Sequence, residues 1–306
     1  MKITDGKNAA IWALVFVQIL FGVNFAASKH ILNEFNPIFW AHVRFIASFL
    51  ILFLIVLSIR RKHPPLTKGF ILPLIPFSLL AFHVGQSLFL KGLKLTTATN
   101  AAVISSLIPI LTLIIVILRR QEHFTRYRLI GFASAVIGVV ILRRIENFSL
   151  ESMTLQGDFY ILVASLCYAV FIAYSKKFME SFDSLWITVW LLGISSVTLI
   201  PFTIEQWILV EFPVLDVLMI SCMIFSVVGA TVVTYFLNNW ALARTESGNV
   251  ALLIYLQPVV ACYFAWQFLN ESITSRIVFA TLLILGGQVV SVIHAKSKHF
   301  HKRNTD

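Results

Sequence analysis

The chain contains part of itself twice. Residues 100–125 open with Asn100-Ala-Ala-Val-Ile-Ser-Ser-Leu-Ile-Pro109 and run on through Glu122 to Thr125. They recur 149 positions later as Asn249-Val-Ala-Leu-Leu-Ile-Tyr-Leu-Gln-Pro258, Glu271 and Thr274. The match extends backwards, aligning Leu88, Leu93 and Thr96 with Leu237, Leu242 and Thr245, and forwards to Gly138 and Gly287. Both copies are strongly apolar. A duplication inside an apolar chain restricts the fold to two related halves that share a centre, an arrangement suited to exposing one site alternately to two sides of a membrane.

The chain is 58% hydrophobic and 12% charged, with a mean hydropathy of +0.87. A soluble chain of 306 residues could not bury that much apolar surface. Stretches of roughly 18–25 apolar residues, each long enough to cross the ~30 Å hydrocarbon layer as a helix, predict spans at 10–32, 37–59, 70–92, 97–118, 127–144, 157–178, 184–204, 214–240, 246–269 and 273–294. Ten spans divide five to a copy, and an odd number reverses the second copy in the membrane. The first spans of the copies align through Ser28-Lys29 and Ser175-Lys176, 147 residues apart. The expected fold is an all-α polytopic membrane protein, with ten transmembrane helices as two inverted five-helix repeats around a central cavity. The repeats cover 10–144 and 157–294, followed by a basic cytoplasmic tail at 295–306. The first span is longer than a secretory apolar core and has no small-residue cleavage pattern, so it is expected to stay in the mature protein.

The net charge of +10 is unevenly distributed. With the N-terminus cytoplasmic, Lys29, Lys91, Lys94, Arg143, Arg144 and Arg276 fall outside. Arg44 lies within a span, and all other Lys and Arg fall inside. That bias places both termini in the cytoplasm of an inner-membrane protein held by anionic lipid, and it argues against nucleic acid. Cys167, Cys222 and Cys262 sit in apolar spans with no metal-ligand spacing and read as packing residues. No cofactor or metal is expected. There is no Walker motif, HExxH, paired intramembrane acid or nucleophile with a neighbouring base, so the chain does not read as an enzyme.

Phe21-Gly-Val-Asn24-Phe in span one, Arg44-Phe in span two, the Asn-to-Pro-to-Glu pattern of spans four and nine, and the Gly-rich fifth and tenth spans carry a resemblance. Over residues 10–294 the chain resembles the drug/metabolite transporter superfamily, specifically its EamA-type permeases. The resemblance implies a ten-helix fold with a central cavity that carries amino acids, amines, nucleosides or other small metabolites.

Polar side chains in mid-span are the candidate cargo ligands, because an unpaired polar group facing lipid costs several kcal/mol. His83 and Gln86 are expected to share a face of span three, and Thr231, Tyr235 and Asn238 a face of span eight. Gln18 and Asn24 in span one, Tyr168 and Tyr174 in span six, and Tyr255 and Gln257 beside Pro258 complete the set. Each Asn or Gln can equally bridge helices. His83 is ionisable near neutral pH and suits a proton sensor or a carboxylate ligand. Arg44, seven residues after Pro37, is placed to snorkel and to serve structure or gating, as is His42 less clearly. Pro109 and Pro258 should release the carbonyls of Ser105 and Ile254 and act as hinges or rigid kinks. Glu122 and Glu271 should pair with basic loops and anchor helix ends.

Small residues Gly131, Ala135, Gly138, Ala280 and Gly287 allow close helix approach, within the chain or in a homodimer. Trp12, Trp40 and Trp207 read as interfacial anchors, and Trp186, Trp190, Trp240 and Trp266 could line an aromatic cavity. No span carries a central Asp or Glu, which disfavours a cationic cargo. The reading is a secondary transporter for a small polar metabolite, an amino acid or related zwitterionic or neutral compound, working in export. The alternatives are a scaffold or receptor, or an importer of nucleosides or sugars.

Overall fold

The computed structural model describes residues 3–60, 62–64, 66–119, 126–142, 153–209, 215–244 and 253–287. Glu122, Asn249, Arg143, Arg144 and the tail at 295–306 lie outside the described residues. All regular structure among the described residues is helical. The helices are α1 (Ile3–Glu34), α2 (Pro37–Ser58), α3 (Lys68–Leu95), α4 (Ala98–Leu118), α5 (Arg126–Leu142), α6 (Met153–Ser181), α7 (Ser184–Leu209), α8 (Val217–Leu242), α9 (Leu256–Leu269) and α10 (Ser275–Gly287). Seven of these, α1 to α4 and α6 to α8, are long and apolar enough to cross a bilayer. The chain is therefore an integral membrane protein. The apolar α5, α9 and α10 fall inside the remaining expected spans but are shorter in the described residues.

The duplication is visible in how helices begin. Asn36 caps α2 by accepting from the Ile38 and Phe39 amides, and Asp183, 147 residues on, accepts from the Leu185 and Trp186 amides at the start of α7. It is equally visible in how they deform. α3 winds as a π-helix over Ser78–Val84, and α8 does so over Phe225–Val233, the corresponding segment of the second copy. At each deformation a serine from the other copy's second helix reaches a backbone carbonyl. Ser195 Oγ donates to the Ser78 carbonyl at 3.3 Å, and Ser48 Oγ donates to the Val227 carbonyl at 3.3 Å.

Helix packing obeys the same exchange. α1 packs on α8 and α9, while its counterpart α6 packs on α3 and α4. α2 lies against α7, and each also touches the third helix of the opposite copy. α3 and α6 meet almost backbone to backbone. A Cβ added at Gly92 would stand 2.6 Å from the Gly157 carbonyl oxygen, and one at Gly157 would stand 2.8 Å from that of Gly92. Small residues of α5 and α10 meet within the chain: Gly138 abuts Ile284 and the Ala280 carbonyl, and Gly287 abuts Ser134 and the Gly131 carbonyl.

Both proline kinks interrupt helix. α4 breaks between Ser105 and Ile108, just before Pro109, and a turn at Ile254 and Tyr255 precedes α9 and Pro258. The expectation that Ile254 is left with a free carbonyl is corrected, because the tighter turn lets the Gln257 amide reach it at 2.9 Å.

Candidate functional site

Five helices bring aromatic rings to the centre. Phe82 of α3 stands edge-on to Tyr235 of α8 at 4.8 Å and to Phe171 of α6 at 5.9 Å, and it also meets Phe45 of α2 at 6.1 Å. Phe21 of α1 closes on Tyr235 at 5.9 Å, and Tyr168 of α6 stacks on Phe171 at 5.9 Å. About two turns along α3, Phe89 meets Phe25 of α1 at 5.3 Å.

Polar pairs are set among these rings. The Arg44 guanidinium donates to Gln86 Oε1 at 2.7 Å, and Asn238 Nδ2 donates to the Tyr168 hydroxyl at 3.1 Å. Gln257 Nε2 donates to Gln18 Oε1, tying α9 to α1 next to Gly22, where a Cβ would collide with Val260. Counterparts of these glutamines in the other copy are Ser165 and Ile108, so this particular glutamine pair is not duplicated. Asn24 is buried and accepts from Ser28 on its own helix, and Tyr255 sits half-buried in the turn before α9.

Several expectations need correction. His83 and Gln86 do not point to the same neighbours. The wider winding at Ser78–Val84 rotates His83 towards α7, where its Nδ1 pairs with Thr198 Oγ1 at 2.9 Å, while Gln86 turns to α2. Arg44 does not snorkel: it is 1% exposed, because α3 and α8 cover that face of α2. His42 is buried against Thr203 and Trp207 of α7 and ties those helices together. Trp40 is buried rather than interfacial, whereas Trp12 and Trp207 are exposed as expected. Tyr174 lies on the surface beneath Arg119, and Trp186 and Trp190 pack round His63. Trp266 is exposed, and Trp240 lines a cavity.

The two ends of the bundle differ. At one end the α3–α4 turn is held from three sides. Lys29 Nζ of α1 donates to the carbonyls of Leu93, Lys94 and Thr96 at 2.8, 2.9 and 2.6 Å, capping the C-terminus of α3. Glu271, just past α9, accepts from the Ala98 and Thr99 amides at 2.7 and 3.0 Å, capping the N-terminus of α4. Thr96 Oγ1 donates to Asp158 of α6. Glu271 thus anchors a helix end as expected, but the helix belongs to the other copy. Sequence reading overlooked Asp158 and counted Lys29 only as a loop charge, although the paired Ser-Lys and the repeated glutamate marked two of the three holders.

At the opposite end the described residues line a cavity. A cavity of about 460 Å³ lies between the α6–α7 turn, from Met179 to Leu185, and the end of α8 at Phe236, Trp240, Ala243 and Arg244. The comparison is residue for residue. Phe182 and Ala243 line that cavity, while their counterparts Phe35 and Lys94 are joined by a bond from Lys94 Nζ to the Phe35 carbonyl at 3.3 Å.

The pattern of the EamA-like transporter family matches residues 8–144 and again residues 155–293. Two curated relatives match over nearly their whole length. The Bacillus subtilis protein named "Uncharacterized transporter YoaV" is 23% identical over 276 residues, covering 90% of this chain and 93% of the relative. The Salmonella typhimurium protein named "Probable amino-acid metabolite efflux pump" is 24% identical over 287 residues, covering 91% and 93%. A solved structure titled only as the crystal structure of a protein shares the fold at 16% identity. Its TM-score is 0.67, over 95% of this chain and 98% of that one. With two consecutive matches that together span nearly the entire sequence, the chain belongs to the EamA-like transporter family.

Proposed function

We propose that this protein is an alternating-access carrier that exports a small polar metabolite, an amino acid or a related zwitterionic or neutral compound, across the cytoplasmic membrane. In this reading ten helices form two inverted five-helix repeats with both termini in the cytoplasm. The cargo lies between α1, α3, α4, α6, α8 and α9, and Gln86, Asn24, Tyr235, Asn238, Tyr255 and Gln257 face it. The breaks before Pro109 and Pro258 let the halves bend. His83 is left out of the cargo site because Thr198 holds it on the α7 side.

The observation that carries this reading is the contrast between the two ends among the described residues: one turn clamped by Lys29, Asp158 and Glu271, and at the other end a cavity between the α6–α7 turn and the end of α8. Two halves that exchange the same contacts can trade a closed end for an open one at little net cost, which is the energetic requirement for alternating access. By the distribution of basic residues, the clamped end is the outer one and the open end the inner one. Export draws support from the efflux pump named among the relatives. The name speaks for that protein, and here it supports a direction only.

The test is counterflow in proteoliposomes loaded in turn with amino acids, amines, carboxylates, nucleosides and sugars. The carrier reading expects one class to exchange at several times the rate of empty liposomes, and Gln257→Ala to reduce it. No exchange by any class would move the protein to the scaffold reading.

A further inference from the structure

Arg44 is a buried cation for which the described residues provide no anion. Its side chain is 1% exposed in the middle of an apolar bundle. One guanidinium nitrogen donates to the neutral oxygen of Gln86, and Nε has no hydrogen-bond partner. Beyond these it has the face of Phe45, with the guanidinium carbon 5.4 Å from the ring centre, and the phenol of Tyr235 within electrostatic reach. Among the described residues the one ion pair is Lys176 with Glu180, far along another helix. A charge inside a membrane protein is costly and is normally matched by an opposite charge, so one left unmatched marks a place where a ligand completes the pair.

The surroundings show where that ligand would sit. Gln86 shares a face of α3 with Phe82 and Phe89, whose rings touch Tyr235 of α8 and Phe25 of α1, so this face looks into the centre. Gln86 is nevertheless only half-buried. Arg44 is thus sealed by its neighbours on every side but the one held by Gln86, and Gln86 itself is not fully covered. The site is also single: the position matching Arg44 in the other copy is Leu191 at the offset of 147 and Gly193 at the offset of 149.

Resting on the carrier reading, we infer that the cargo carries a carboxylate, and that Arg44 receives it with two guanidinium N–H groups while Gln86 holds the guanidinium plane. A planar fork of donors suits a two-oxygen carboxylate. Phe21, Phe45, Phe82 and Tyr235 give the rest of the cargo an aromatic wall. Arg44 thus moves from the gating role its sequence position suggested to a binding role.

The test uses matched ligands on the full-length protein in detergent and in proteoliposomes. For alanine, leucine and phenylalanine, each amino acid is compared with its amide, its decarboxylated amine and its deaminated acid, by thermal stabilisation and by counterflow. Ligand binding to the folded state raises stability by mass action. The expected result is stabilisation and exchange by the acids of at least one set, with amide and amine at least tenfold weaker. Arg44→Gln should weaken acid binding at least tenfold, and Arg44→Lys should retain part of it. Amide or amine binding as well as the acid overturns the inference, as does unchanged acid binding in Arg44→Gln. Exchange confined to sugars or nucleosides overturns it while leaving the carrier reading standing, whereas exchange by no class removes both. Should Arg44→Gln fail to fold, the wild-type ligand sets still decide, and Gln86→Leu, which keeps the charge, should weaken the acids more than the amides.

Discussion

Lys29 and Glu271 grip one turn from its two sides. The ammonium closes the carbonyl end of α3, the carboxylate closes the amide end of α4, and the two charges attract each other across Leu95–Ala98. Each group therefore complements a helix dipole as well as its opposite charge, and the clamp joins α1 and the α9–α10 connection to the α3–α4 turn. Lys29→Met removes charge-assisted bonds worth about 1.5–3 kcal/mol. In a two-state carrier that loss shifts the balance about tenfold for every ~1.4 kcal/mol. In a cysteine-free background, a thiol placed at Gln86 should react several times faster with an impermeant maleimide added outside whole cells when Lys29 is Met. Equal rates would mean that the turn is not the gate.

The duplicate of this lysine is Lys176, and the duplicate of Glu271 is Glu122. If the second copy clamps its own turn in the opposite state, Lys176→Met weakens that state instead. The same Gln86 thiol should then label more slowly from outside than in the parent. Opposite signs for Lys29→Met and Lys176→Met are the expected pattern, and shifts of equal sign would show that the two lysines are not equivalent.

What could be read in advance divides by physical origin. The seven long helices and the breaks before Pro109 and Pro258 are local and were legible from residue type and spacing; the caps at Asn36 and Asp183 are equally local but were not singled out. The π-helical turns were not: Ser78–Val84 holds neither Gly nor Pro, and the single Gly229 of Phe225–Val233 does not by itself distinguish a wider turn from a packing contact. With that turn unseen, His83 was grouped with Gln86 and not with Thr198. Arg44 looked shallow when counted from Pro37, since depth along a helix says nothing about which neighbours cover it. Lys29 was visible as a repeated residue, but its role depended on which helix end the fold would bring opposite it, and that is a tertiary fact.

Gln18 and Gln257 are each other's partners, both buried, across the α1–α9 contact. Gln257→Leu alone leaves the Gln18 amide without that partner, while the double leucine variant removes both polar groups together. Interhelical bonds of this kind couple by about 0.6 kcal/mol on average and up to ~1.7 kcal/mol. A thermal double-mutant cycle in detergent should return a coupling in that range, with the double variant more stable than the sum of the singles predicts. Strict additivity would show that the bond contributes nothing to holding α1 on α9.

The α3–α6 contact gives the sharpest test of the packing, because Gly157 there and Gly286 in α10 have opposite surroundings. A methyl at Gly157 would stand 2.8 Å from the Gly92 carbonyl oxygen and 2.9 Å from the Thr96 amide nitrogen, both backbone atoms that cannot rotate aside. The same methyl at Gly286 meets nothing within 4 Å. Overpacking of this kind costs about 1–3 kcal/mol, so Gly157→Ala should lower the melting temperature by roughly 3–10 °C. Because Thr96 carries the bonds to Lys29 and Asp158, the displaced turn should also raise outside labelling of the Gln86 thiol. Gly286→Ala gains helix propensity of up to ~1 kcal/mol with no clash and should melt no lower than the parent. A Gly157→Ala protein as stable as Gly286→Ala would mean that α3 and α6 do not approach at Gly92, and the clamp built on that approach would have to be redrawn.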